Sequence, residues 1–403
     1  MIPSGNQLQP HNRRERSQQR RRKMKSSLIA ATTLVMLVVA GILVIRVNGG
    51  DIPGLGIQAQ PIGQAPAPES KVVTPITVPS TSTTPNNTSS DPVKLTFVGD
   101  IMLGSTVENV MRQDGFDSPY RLVRSLLQNA DLTIANLETP ITERGTPQKK
   151  DYVYRSSPKV LPAFKEAGFD IVNLANNHSM DYGPQGLLDT FDVLDQAGIK
   201  RIGAGRDADE AYRPVIVESK GMKIAFLGFS RVVPESSWKA GKNHPGIAET
   251  YQYQLATNAI ARVRPLVDLV VVIPHWGDER KDKPNKDQID LAKRFIDAGA
   301  DLIVASHPHV LQGFESYKGK WIAYSLGNFI FTTNSYKETW ETIILEASCT
   351  KDRACQLNAV PVYTVGAKPQ PMSGDTGRKL LQRLSTISIH SRIDENGRVI
   401  SAP

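Results

Sequence analysis

Seven polar residues stand where apolar runs stop. Asp100 ends "LTFVGD", Glu138 ends "LTIANLE", Asn177 and His178 end "IVNLANNH", His275 ends "VVVIPHW", and His307 and His309 end "LIVASHPH". A lone acid in such a place is an ordinary turn former or helix cap, and a lone histidine an ordinary hydrogen-bonded boundary residue. Histidine is only 7 of 403 residues, however, and four of the seven fall at these positions beside Asp100, Glu138 and Asn177. Imidazole, amide and carboxylate together suit a divalent cation of intermediate softness, manganese, iron or zinc, rather than calcium, which takes oxygen ligands alone. Six candidate ligands (Asp100, Glu138, Asn177, His275, His307, His309) exceed the needs of one tetrahedral ion. Up to two ions, about 3.5–4 Å apart and bridged by a carboxylate, would fit this inventory and serve phosphoester cleavage with a metal-activated water. In "SHPH", His-x-His on an extended segment would place both rings on one side.

These tips need a scaffold that gathers strand ends. From residue 93 a unit recurs in which an amphipathic helical pattern closes near Ala-Gly or Asn-Ala and an apolar strand follows. It appears in "LVRSLLQNADLTIANLE", "LPAFKEAGFDIVNLANNH", "LLDTFDVLDQAGIKRIGAG" and "LAKRFIDAGADLIVASHPH". The glycines suit left-handed helix C-caps, and the Ile/Val/Leu-rich runs suit strands covered on both faces. The expected class is α/β, with a mixed sheet or two stacked sheets, because hairpin-like pieces enter the second half. In such folds ligands bind beyond the carboxyl ends of the strands, where all seven residues lie.

The formal charge of +8 does not mark a nucleic-acid-binding surface. Residues 13–25 carry eight Lys/Arg against Glu15 alone, a net of +7, so the remainder is close to neutral. The basic cluster runs into twenty apolar or small residues, 26–45, which at about 1.5 Å each span roughly 30 Å as a helix, the thickness of a hydrocarbon core. The charge asymmetry predicts a cytoplasmic tail (1–25), an uncleaved single-pass anchor (26–45) and an extracytoplasmic remainder; a cleaved signal peptide is the competing reading. Residues 46–92, rich in Pro, Ser and Thr, read as a disordered tether. Cys349 and Cys355 flank a polar turn between two apolar runs, and outside the cytoplasm a local disulfide is expected.

Several other residues read as structural. Trp276 is expected in the core, Gly327-Asn328 as a turn that could approach the site, and His244 and His390 on the surface. "GAGRDADEA" lacks the third glycine of a dinucleotide fingerprint.

"TFVGDIMLG", "ANLETPIT", "YRSSPKVLPAFKEAGFDIVNLANNHSMDYG", "PHWGDE", "SHPHVLQGFE" and "YSLGNFIF" together resemble the bacterial capsule-synthesis CapA family, also called the poly-γ-glutamate biosynthesis protein family. The resemblance covers about residues 93–365, leaving 366–403 as a C-terminal extension. The family is similar to calcineurin-like metallophosphoesterases, which implies a four-layer α/β/β/α sandwich with paired metals. Position by position, Asp100 matches the first phosphoesterase aspartate, Glu138 the bridging carboxylate, and Asn177-His178 the Asn-His pair, with His178 as proton donor or transition-state stabiliser. His275, His307 and His309 match the remaining metal histidines, and Asp181 and Glu279 take supporting site roles.

The sequence departs from the phosphoesterase pattern twice: Met102 stands where a histidine is expected, and Glu138 replaces an aspartate. One metal position is then left to Asp100, Glu138 and His309, with His307 and His309 facing different ions. The resemblance implies a role with an anionic polymer such as poly-γ-glutamate, alongside other membrane subunits of the same machinery. The alternatives are an envelope metallophosphoesterase and a non-catalytic polymer-binding scaffold.

Overall fold

Each of the four repeated units folds as a helix leading into a strand: Arg124–Gln128 into Leu132–Leu137, Leu161–Glu166 into Ile171–Asn173, Gly183–Gln196 into Lys200–Ile202, and Lys286–Asp297 into Leu302–Val304. The glycine after the last of these helices, Gly299, has φ 118°, a left-handed geometry that a side chain resists. These assignments come from a computed structural model that describes residues 91–402. The expected tail, anchor and nearly all of the tether lie outside the described residues. Among the described residues no helix is long and apolar enough to cross a membrane.

Two mixed sheets form. In the first, Val93–Ile101, Leu132–Leu137, Ile171–Asn173 and Lys200–Ile202 run parallel, and the antiparallel strands Glu341–Cys349, Cys355–Val365 and Lys368–Pro371 extend the other side. In the second, Met222–Ser230, Leu269–His275, Leu302–Val304 and Lys320–Leu326 are parallel, flanked by Val215–Ser219 and Leu311–Tyr317.

Strand alternation explains why the two sheets stack. Leu95, Phe97, Ile134 and Ile171 of the first sheet share an apolar cluster with Ile224, Phe226, Val271 and Leu302 of the second. The intervening residues Val270 and Val272 face the other way, against Ala256, Ile260 and Phe295 of the helices Tyr253–Val263 and Lys286–Asp297. On the outer side of the first sheet, Val107, Phe164, Leu187 and Phe191 bring in the helices Ser105–Asp114, Leu161–Glu166 and Gly183–Gln196. The layers are therefore helix, sheet, sheet, helix, each sheet having buried both faces.

Residues beyond 365 continue the same body. The helix Gly374–Thr386 buries Leu380, Leu381 and Leu384 in the inter-sheet cluster. Cys349 and Cys355 face each other across the hairpin and form the expected disulfide, with Cα atoms 4.1 Å apart. Trp276 lies in the core, its Nε1 donating to the Tyr324 carbonyl at 3.0 Å, and His244 and His390 are exposed, as expected.

Candidate metal centre

Because both sets of parallel strands end on the same side, their carboxyl termini deliver the polar tips into one crevice. Asp100 arrives there through a close backbone approach. A Cβ on Gly99 would stand 1.9 Å from the Gly327 carbonyl oxygen, and this oxygen accepts from Asp100 N at 2.9 Å. The buried Asp100 carboxylate accepts from Asn136 Nδ2 at 2.8 Å and from His307 N at 3.3 Å, and its Oδ2 lies 3.4 Å from His309 Nδ1. Burial pushes its pKa up, but the bonds from His309 and Asn136 and the nearby imidazoles outweigh this and hold it below the usual carboxylate range.

Glu138 is fully buried, and neither of its carboxylate oxygens has a hydrogen-bond partner. Desolvation, then repulsion from Asp100, raises its pKa well above the ordinary range. His307 Nδ1 is likewise buried and unpartnered. Ligand atoms of Glu138, His307 and His309 lie within 4.8 Å of one another. Orphaned buried acceptors are costly unless something satisfies them, and a divalent cation would satisfy these. The donor set of one carboxylate and two imidazoles fits such an ion, and His307 and His309 both reach this group.

His275 ends its strand with Nε2 2.8 Å from Asn177 Oδ1 and 3.5 Å from Glu138 Oε1, while Nδ1 is 3.3 Å from both Asn136 Nδ2 and Ser306 Oγ. Burial first, and the neighbouring imidazoles second, keep His275 neutral, its pKa well below the usual histidine value. The same causes bring His307 down to about 3. His178 Nδ1 sits 2.8 Å from Asp181 Oδ2, and its pKa is lowered by burial despite that carboxylate. Glu279 is exposed at the rim, where its charge reaches His309 and Tyr154.

Met102 is buried in the helix-side apolar cluster, and its sulfur accepts from Gly104 N at 3.2 Å, so the residue packs rather than ligates. Asn328, read as a turn residue that could approach the site, holds His309 Nδ1 with its Oδ1 at 2.9 Å. Sequence reasoning missed Asn136, which binds Asp100 and His275 and whose Oδ1 accepts from Asn173 and Asn176. Its spacing of two from Glu138, which directly follows the strand Leu132–Leu137, was the available signal, since alternate residues of an extended run share a face.

The "SHPH" turn is not extended. His307 has φ 103° and His309 φ 59°, both in the left-handed region that costs an L-residue roughly 1–2 kcal/mol. Distant bonds hold the strain: His307 N to Asp100, and Arg280 N to the Pro308 carbonyl at 2.8 Å. Of two variants that both remove the imidazole, His307→Gly is therefore expected to be about 1 kcal/mol more stable than His307→Ala in urea denaturation. Equal midpoints would mean that the turn carries no strain at this residue.

Residues 94–333 match the family described as Bacterial capsule synthesis protein PGA_cap. The chain is 34% identical over 291 residues to the PGA biosynthesis protein CapA of Bacillus subtilis, covering 72% of this chain and 76% of that one. It is 34% identical over 304 residues to the capsule biosynthesis protein CapA of Bacillus anthracis, covering 74% of each. A probable polyglutamine synthesis accessory protein of Mycobacterium tuberculosis is 34% identical over 226 residues, 53% of this chain and 59% of that one. The CapA proteins of the two bacilli are similar to this chain over about three quarters of their own length, and, with a matched span that encloses every strand-end residue of the crevice, the chain belongs to the bacterial capsule synthesis protein family.

Proposed function

We propose that this protein acts in capsule or poly-γ-glutamate biosynthesis or export as a membrane-anchored, extracytoplasmic component whose strand-end crevice binds a divalent metal and performs hydrolase-like or transferase-like chemistry. The observation that carries the metal-dependent part is the convergence of the unpaired Glu138 carboxylate and His307 Nδ1 with His309. The polymer-related part rests on the names of the CapA relatives. The Cys349–Cys355 disulfide favours an oxidising compartment, in keeping with an anchor over 26–45 and a translocated domain.

Glu138, His307 and His309 would hold the cation, with Asp100, Asn177 and His275 beside them. A bound divalent cation supplies Lewis-acid activation of an ester or amide oxygen. The chain's own groups do the rest. Asp181 orients His178 by accepting from Nδ1–H, which leaves the Nε2 lone pair to take up a proton at the crevice and then, from the doubly protonated ring, to pass that proton to a leaving group. Asn136 and Ser306 fix His275.

The rim suits an extended anion. Exposed tyrosines lie on loops around the crevice, Tyr152 stacked on Tyr154 beside His178, Tyr251 under Arg231 and Lys239, and Tyr336 under Arg280. Such pairs offer cations to carboxylates and flat faces to a chain. A second reading, a non-catalytic polymer-binding scaffold, draws support from Met102, which fills a place where a ligand would be expected.

Metal analysis of the purified protein, with bis(4-nitrophenyl) phosphate as a model substrate, tests the chemistry. Stoichiometric manganese, iron or zinc is expected, with turnover reduced by about 10²–10⁴-fold in His178→Ala. Bound metal with equal rates in both proteins would remove His178 from the mechanism. In cells, loss of surface polymer on gene deletion should be restored by wild type and not by His307→Ala; restoration by the variant would favour the scaffold. Protection of residues 93–403 from protease added to intact cells would refute the topology.

A further inference from the structure

Lys150 belongs to none of the strand-end motifs and lies in an irregular loop, yet its ammonium group is only partly exposed. Nζ donates to the Asn177 carbonyl at 2.7 Å and to Asp181 Oδ1 at 2.8 Å, stands 3.2 Å from His178 Nδ1, and lies 5.3 Å above the Trp238 ring. The rest of the loop embraces the same turn. Tyr154 N donates to Asp181 Oδ2 at 2.7 Å, Gln148 N donates to the Asp181 carbonyl at 2.8 Å, and the Tyr154 ring lies 5.0 Å from the His178 ring.

The donors can be assigned. Asp181 Oδ2 accepts at 2.8 Å from His178 Nδ1, the shorter of that nitrogen's two contacts, so the Nδ1 proton points at the carboxylate. Two N–H groups of Lys150 then serve the Asn177 carbonyl and Asp181 Oδ1, and the third faces Trp238. An ordinary surface lysine pairs with one exposed acid. This one pairs with a fully buried carboxylate and, through the adjoining peptide, with a candidate metal-facing residue.

We infer that Lys150 is a positioning residue: it clamps the turn Asn177–Asp181 so that the Asn177 side chain faces the metal crevice and the His178 ring is held with Nδ1 on Asp181. The inference rests on the metal-dependent reading above, but its first consequence does not require metal or turnover. A side chain that merely covered Asn177 would leave the turn's own bonds intact when exchanged for one of similar length. Removal of the clamp instead frees the Asn177 carbonyl and one oxygen of Asp181.

The test compares Lys150→Met with Lys150→Arg. In metal-free protein, amide hydrogen exchange over 176–183 is expected to rise about tenfold or more in Lys150→Met, with the sheet strands still protected, and to rise less in Lys150→Arg. Titration with manganese(II) should show affinity weaker by roughly 10–100-fold in Lys150→Met, as for other residues that orient ligands. At saturating manganese, where weaker metal binding no longer limits the rate, turnover should fall in the same variant, and there Lys150→Met should add little to His178→Ala, because the remaining effect passes through the His178 ring. Unchanged exchange and manganese affinity in a folded Lys150→Met protein would overturn the clamp, and so would full additivity with His178→Ala. Should Lys150→Met fail to fold, Lys150→Gln carries the same comparison. If wild type binds manganese and hydrolyses nothing, the hydrolase reading fails while exchange and affinity still decide for or against Lys150. If it binds no metal, exchange alone decides.

Discussion

Replacing Glu138 by glutamine is expected to raise the stability of the metal-free domain by on the order of 1–2 kcal/mol while weakening divalent-cation binding by more than about 100-fold. The two effects share a cause. Glu138 is fully buried with both carboxylate oxygens unpartnered, and the Asp100 carboxylate nearby adds repulsion to desolvation. Until a cation arrives, this group opposes folding, as functional groups held ready for a ligand often do. The amide keeps the volume and removes the ionisable group. Part of the gain is offset because His309 loses one of the carboxylates that support its proton. The loss of affinity exceeds that caused by removing an orienting residue, since a charged ligand atom itself disappears. Urea midpoints measured in chelator and manganese titration of both proteins read the two effects separately. A metal-free variant less stable than wild type, or one that binds the cation equally well, would sink the idea that Glu138 is reserved for metal.

Much of this arrangement was legible because its signals are local. Helical periodicity, glycine caps and apolar runs identify the helix–strand units, and strand termination identifies Asp100, Glu138, Asn177, His275, His307 and His309 without any knowledge of distance. The residues left a mixed sheet and two stacked sheets both open, and the structure decides for stacking by sending alternate residues such as Val271 and Val272 into different cores. What escaped is set by long-range contact. The left-handed backbone of His307 and His309 depends on Asp100 and Arg280, and an extended reading of "SHPH" is the natural default for residues flanking proline. Lys150 sits in a polar loop with no periodicity, and only the folded chain brings it to Asn177 and Asp181. Met102 departs from the phosphoesterase pattern in the sequence itself, but its turn toward the helix-side core is set by contacts distant along the chain.

Cation affinity is expected to rise by at least about tenfold per pH unit between pH 7 and pH 9, because His309 carries a proton that a metal must displace. Burial alone would strip that proton, but the Glu138 and Asp100 carboxylates outweigh burial and raise the His309 pKa from 6.5 to about 9. His307, at about 3, and His275, well below its usual value, are already neutral at pH 7 and contribute no slope in this window. The sign for stability follows from the same shift. A histidine whose folded pKa is raised stabilises the metal-free fold fully below about pH 6.5, and this contribution is lost as pH climbs through about 9. Glu138, with its raised pKa, works in the same direction as pH rises above the ordinary carboxylate range. The metal-free domain should thus weaken toward pH 9 while the stabilisation supplied by manganese grows. Calorimetric titration in buffers of different ionisation enthalpy should find at least about one proton released per cation near pH 7.5, and about one fewer in a His309→Ala variant. An affinity that stays flat from pH 7 to pH 9 would mean that the cation does not compete with His309 for its proton, and would leave Glu138 and His307 without the third ligand of the proposed set.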